Sequence, residues 1–183
     1  LNSESILNST NEKVTAITNV SINLESGNEN TFATFNQILV GTKINNRLWR
    51  ILVGHDYEND EGVVVANDWS GQLRVNQFIN SKNSFYAFSQ IQNIRILKMK
   101  HRFLIGAGYR QSVFKKENQY LDLALGVFYE NEKYPGIENS LLRYNLNCFG
   151  RLNFSEKLFF TFVTYFQAST KDSQNIKLFF EPK

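Results

Sequence analysis

Apolar and polar residues alternate with a period of two along most of the chain, most plainly between His101 and Glu130. On the second arm of that stretch Leu121, Leu123, Leu125, Val127 and Tyr129 share one side, opposite Asp122, Ala124, Gly126, Phe128 and Glu130. A two-residue period marks a strand lying between unlike environments. On the first arm Phe103, Ile105, Ala107 and Tyr109 oppose Arg102, Leu104, Gly106, Gly108 and Arg110, and the polar run Lys115 to Asn118 joins the two arms.

The same rhythm recurs in order along the chain. A polar segment, residues 1–13, leads into a strand from Val14, and the turn Glu25 to Asn30 delivers a second from Thr31 to Lys43. Asn45-Asn46 turns into Arg47 to Glu58, where Trp49, Ile51, Val53, His55 and Tyr57 oppose Leu48, Arg50, Leu52, Gly54 and Asp56. Glu58 to Gly62 is the next connection, Val63 to Phe78 the next strand, and Asn80 to Asn83 the next turn. Ser84 to Ile96 follows with mixed phases, then Lys98 to Lys100 closes it. Beyond the central hairpin, Asn131 to Asn139 holds Pro135 beside Gly136 and reads as a loop, because proline is poorly placed inside a strand. Leu142, Tyr144, Leu146, Cys148, Gly150 and Leu152 then alternate with Arg143, Asn145, Asn147, Phe149 and Arg151. Asn153 to Glu156 turns into Lys157 to Ala168, and Thr170 to Asn175 leads to a last strand, Ile176 to Phe180. The pattern predicts an all-β, up-and-down antiparallel architecture of about ten strands of roughly ten or more residues each.

Strand length separates the environments such a sheet can occupy. Soluble strands average about 5 to 6 residues, whereas a strand crossing a bilayer at a tilt needs about 9 to 11. The expectation is therefore a single domain over residues 1–183 forming a transmembrane β-barrel. Bilayers admit no open sheet edge, so the barrel must close. In that reading Leu121, Leu123, Leu125, Val127, Leu142, Tyr144 and Leu146 face lipid, and Arg74, Arg102, Arg110, Asp122, Glu130, Arg143, Asn145, Asn147 and Arg151 line the lumen. Asp68, Gln72 and Asn76 share the polar phase, and Gly54, Gly106, Gly108 and Gly126 leave room there for large side chains. Trp49, Tyr57, Trp69, Tyr109, Tyr129, Tyr144 and Tyr165 fit interfacial girdles.

Composition narrows the function classes. The 183 residues carry 20 basic and 17 acidic side chains, mixed along the chain, so nucleic acid is not an expected partner. Aromatic residues make up 14%, and no run reaches the roughly 18 apolar residues of a membrane-spanning helix. The lone Cys148 permits no internal disulfide, and no cofactor or metal site is expected. His55 lies on the apolar phase and His101 stands between Lys100 and Arg102; neither sits at catalytic-motif spacing from a Ser or Asp, so no catalytic site is expected. Asp122 and Glu130 lie eight positions apart on one strand face, about 26 Å, too far to act as a carboxylate pair.

Ser26-Gly27-Asn28 before a Thr-bearing strand, Trp49, the run Gly106 to Arg110 and the run Leu121 to Glu130 resemble the salt-induced outer membrane protein family, a bacterial domain family of unknown function. The resemblance extends from about Val14 to Phe180. It implies a barrel in the bacterial outer membrane, in contact with lipid or lipopolysaccharide, and no established activity. Outer-membrane barrels usually finish on an aromatic residue, whereas this chain finishes Glu181-Pro182-Lys183. Closing strands are therefore expected to be missing, which would bring the barrel to about twelve. The functional expectation is a structural or accessory subunit of an envelope complex. Three alternatives stand beside it: a small pore with selectivity set by Arg74, Arg110, Arg143 and Arg151, a soluble, lipocalin-like ligand-binding barrel, and a membrane hydrolase dependent on His55 and His101.

Overall fold

The computed structural model describes residues 13–27, 30–116, 119–154, 158–172 and 174–182. Every regular element among them is a strand: β1 (Val14–Glu25), β2 (Thr31–Ile44), β3 (Arg47–Asp60), β4 (Val63–Phe78), β5 (Asn83–Ile94), β6 (Met99–Lys116), β7 (Gln119–Tyr134), β8 (Ile137–Asn153), β9 (Phe159–Ser169) and β10 (Ile176–Pro182). They form one ten-stranded sheet in sequence order. The antiparallel register runs from Val14↔Thr42 to Glu25↔Thr31 between β1 and β2, and pairs Leu39 with Leu52 and Gly41 with Arg50 between β2 and β3. Arg143↔Ser169 opens the β8–β9 ladder, and Tyr165↔Phe179 joins β9 to β10.

The strand count and the up-and-down order agree with the alternation of the sequence, but closure does not follow from it. Among the described residues β1 and β10 are the two ends of an open strand order. A closed barrel requires those two edges to exchange backbone hydrogen bonds, and the strand order contains no such pairing. Backbone contacts further divide the chain into two compact units. One holds the chain up to Val75 with Phe88–Leu104 and Asn131–Ser140; the other holds Asn76–Ala87, Ile105–Glu130 and the chain from Leu141.

The turns are tighter than the polar runs suggest. The loop expected over Asn131 to Asn139 is a correction: β7 continues to Tyr134 and β8 begins at Ile137, leaving only Pro135 and Gly136 to turn. Gly136 has φ +77, so proline followed by a left-handed glycine makes a two-residue reversal without removing a ladder donor. Across that hairpin Asn131 donates to Glu138 and to Ser140, each at 2.9 Å, which holds strand geometry in a stretch rich in polar residues. Glu61 and Gly62 (φ 48 and 83) make an equally short turn between β3 and β4. β5 ends at Ile94 rather than Ile96, and β6 begins at Met99, so the turn there is Arg95 to Lys98. β9 occupies Phe159–Ser169. Of the expected features, residues 1–12, 28–29, 117–118, 155–157, 173 and 183 lie outside the described residues.

Several strands expose large apolar side chains and bury charged ones. Large apolar side chains are outward: Leu125 is 60% exposed, Val53 54% and Tyr144 59%. Some charged ones are buried along with apolar Leu52 and Phe149: Arg50 and Glu130 are each 1% exposed and Arg143 2%. Soluble proteins almost never bury charge fully unless it is paired, and they rarely leave contiguous apolar patches uncovered.

Candidate functional site

The polar face is where chemistry concentrates. In the unit containing Ile105–Glu130, two charge clusters are built from alternate positions of β6, β7, β8 and β10. Arg110 on β6 meets Asp122 on β7 through Nη2, 2.5 Å, and Nε, 3.1 Å, both donating to Asp122 Oδ2. The central carbon of the same guanidinium, Cζ, lies 4.5 Å from the ring centroid of Phe149 on β8. Glu130 on β7 accepts from Arg143 Nε at 2.5 Å and lies 3.5 Å from Lys177 Nζ on β10. Arg143 Nη1 donates to Asn175 Oδ1 at 2.9 Å. The buried carboxylates are thus matched by cations with charge-assisted bonds, the condition under which buried charge is tolerated.

These contacts also fix the local curvature of that unit. β7 and β10 are three strand intervals apart, about 14 Å across a flat sheet, and side chains stand roughly perpendicular to a sheet. Glu130 and Lys177 meet only if the polar face is concave there. Tyr86 on β5 spans three intervals as well, and its hydroxyl lies 3.4 Å from Asn145 Nδ2 on β8. Two glycines make that reach feasible: a Cβ on Gly126 would sit 2.4 Å from the Tyr86 hydroxyl oxygen, and one on Gly108 2.5 Å from it. Tyr86 is 3% exposed, so its ring fills the hollow that the glycines open.

The unit containing β1, β2 and β3 is built differently. Arg50 lies opposite Gly41 in the ladder, next to buried Leu39, Leu48 and Leu52. Arg74 stands 5.8 Å over the Phe88 ring. Gln72 donates to Gln90 at 2.9 Å and Gln90 to Gln92 at 2.8 Å, an amide chain crossing from β4 to β5. Arg102 pairs with Glu132 at 3.2 Å, each side chain about one-fifth exposed. On the outward phase His55 Nε2 lies 3.0 Å from Asn67 Oδ1.

Of the residues expected on the polar side, Arg74, Arg110, Asp122, Glu130, Arg143, Asn145 and Asn147 are buried, while Arg102 and Arg151 are half-buried. Of those expected on the apolar side, Leu123, Leu125, Val127, Leu142, Tyr144 and Leu146 are exposed, and Leu121 is half-buried. Arg143 meets Glu130, Asp122 pairs with Arg110, and Arg151 stacks 4.3 Å over Phe159 on β9. Sequence reasoning placed Arg50 on the correct phase without naming it as a site, and it missed Tyr86, Phe149 and Lys177. The mixed phases of β5 hid Tyr86, and nothing in the spacing signals that Lys177 reaches over β8 and β9.

An all-β chain in one antiparallel meander, with paired Arg, Asp and Glu side chains buried on its strands and aliphatics such as Leu125 and Val53 exposed, defines the class. The model of a protein family of unknown function, DUF481, matches residues 18–181, and the chain belongs to that family. No curated protein and no solved structure matches it.

Proposed function

We propose that the chain is a β-barrel of the bacterial outer membrane with an occluded interior, acting as a structural or accessory component of the envelope. One observation carries this reading: the exposed face holds Leu125, Val53 and Leu146, while the buried face holds Arg50, Glu130 and Arg143. Lipid is the solvent that reverses the usual cost of exposing those aliphatics. Strands of 11 to 18 residues in β2 to β9 are long enough to cross a tilted bilayer path. Lipid also leaves no partner for unpaired backbone groups, so in the membrane the sheet closes, either β1 on β10 or through further strands. Paired ions and the Tyr86 ring occupy the concave face of the second unit, which favours a filled interior over a conducting one.

The test is fractionation followed by conductance. The protein is expected in the outer-membrane fraction, extractable only with detergent, and silent in a planar bilayer. Recovery in the supernatant without detergent would sink the membrane reading and favour a soluble ligand-binding barrel. Stable channels that lose anion preference on Arg151→Gln would favour the pore.

A further inference from the structure

The turn between β5 and β6 exposes two adjacent large apolar side chains among cations. Ile96 is 78% exposed, more than any other large apolar side chain described, and Leu97 is 55% exposed. Arg95 and Lys98 flank them, Lys100 follows, and all three cations are on the surface. Arg102 does not belong to this set, since it is committed to Glu132. The turn is well formed: Lys98 N–H donates to Arg95 O at 2.8 Å, with Lys98 at φ 53. By contrast the β3–β4 turn presents Glu61 and Gly62 beside Asp60.

Its height on the sheet is set by hydrogen bonds to β4. Arg95 N–H donates to Asp68 Oδ1 and Trp69 N–H to Asn93 Oδ1, each at 2.7 Å. The turn therefore ends level with Asp68 and Trp69, about 17 Å of strand short of the start of β4 at Val63. Trp69, on the apolar phase, is 43% exposed at that level. An outward indole beside exposed aliphatics and lysines is the composition of a membrane interface, where the aliphatics enter the acyl boundary and the cations stay with the headgroups.

We propose that Arg95, Lys98 and Lys100 bind the phosphate of anionic membrane lipids, with Ile96 and Leu97 entering the apolar layer beneath. Guanidinium and ammonium groups supply the donors that a phosphate ester accepts, and a basic cluster near an anionic leaflet gains attraction from each charge. The inference rests on the membrane reading above.

The whole chain is refolded into phosphatidylcholine nanodiscs and titrated with phosphatidylglycerol, bound lipid being counted by native mass spectrometry. The wild type is expected to retain phosphatidylglycerol in preference to phosphatidylcholine. Arg95→Gln, Lys98→Gly and Lys100→Gln each should weaken that preference by about fivefold, glycine being chosen at 98 because it suits the left-handed conformation. Ile96→Ser with Leu97→Ser should weaken retention of both lipids alike. Insertion without any preference, or a preference that survives the triple variant, overturns the lipid site and leaves the barrel reading intact. Failure of the wild type to insert overturns both.

Discussion

Removing Glu130 tests whether the polar face is dry. Its carboxylate sits between Arg143 Nε at 2.5 Å and Lys177 Nζ at 3.5 Å, with the Glu130 and Arg143 side chains each 2% exposed. Glu130→Ala leaves the Arg143 guanidinium buried, with Asn175 as a neutral partner. Breaking a buried pair by deleting one member costs about 3 to 5 kcal/mol, because the remaining charge is uncompensated. The internal control is Glu138, about half exposed and 4.0 Å from Lys133; Glu138→Ala should cost less than about 1 kcal/mol. Equilibrium urea unfolding of the protein in lipid vesicles, followed by tryptophan fluorescence, measures both. A third variant, Glu130→Leu with Arg143→Met, should recover most of the loss, since an apolar pair needs no solvation. If Glu130→Ala and Glu138→Ala agree within about 1 kcal/mol, water solvates Arg143 and the interior is open, contrary to the filled reading.

Two further substitutions separate the faces. Gly126→Val places a Cβ 2.7 Å from Ala107 O as well as 2.4 Å from the Tyr86 hydroxyl oxygen; overpacking should cost about 1 to 3 kcal/mol by the same unfolding assay, and Tyr86→Ala should relieve only the part owed to the ring. Leu125→Arg, on the apolar side, should cost about 2 to 4 kcal/mol in vesicles if that position lies near the bilayer midplane. An unchanged yield of folded protein on a gel-shift assay would contradict its placement.

The strand count and the phase of most strands were legible because a half-buried strand writes a period of two: Leu123, Leu125 and Val127 against Asp122, Ala124 and Glu130 needed no tertiary information. Boundaries were less legible. Asn131 to Asn139 looked like a loop because Asn, Glu and Pro are weak strand formers, yet cross-hairpin bonds from Asn131 override that preference. β5 was ambiguous because aromatics occupy both its faces: Phe85 is outward, while Tyr86 is inward over Gly108 and Gly126. Partner choice within the polar face was not legible at all. Whether Asp122 takes Arg110 or Arg143 depends on register and on curvature, and the reach of Lys177 to Glu130 depends on curvature alone. Closure is likewise a property of the two edges rather than of any strand's pattern.

Whether the exposed aliphatic face meets lipid can be read by scanning β7. In a Cys148→Ser background, single cysteines at positions 122 to 129 would carry a bimane label, and quenching by brominated phospholipid would be measured in vesicles. Alternation is expected: strong quenching at 123, 125, 127 and 129, weak quenching at 122, 124, 126 and 128. Uniform quenching, or alternation in the opposite phase, would contradict it.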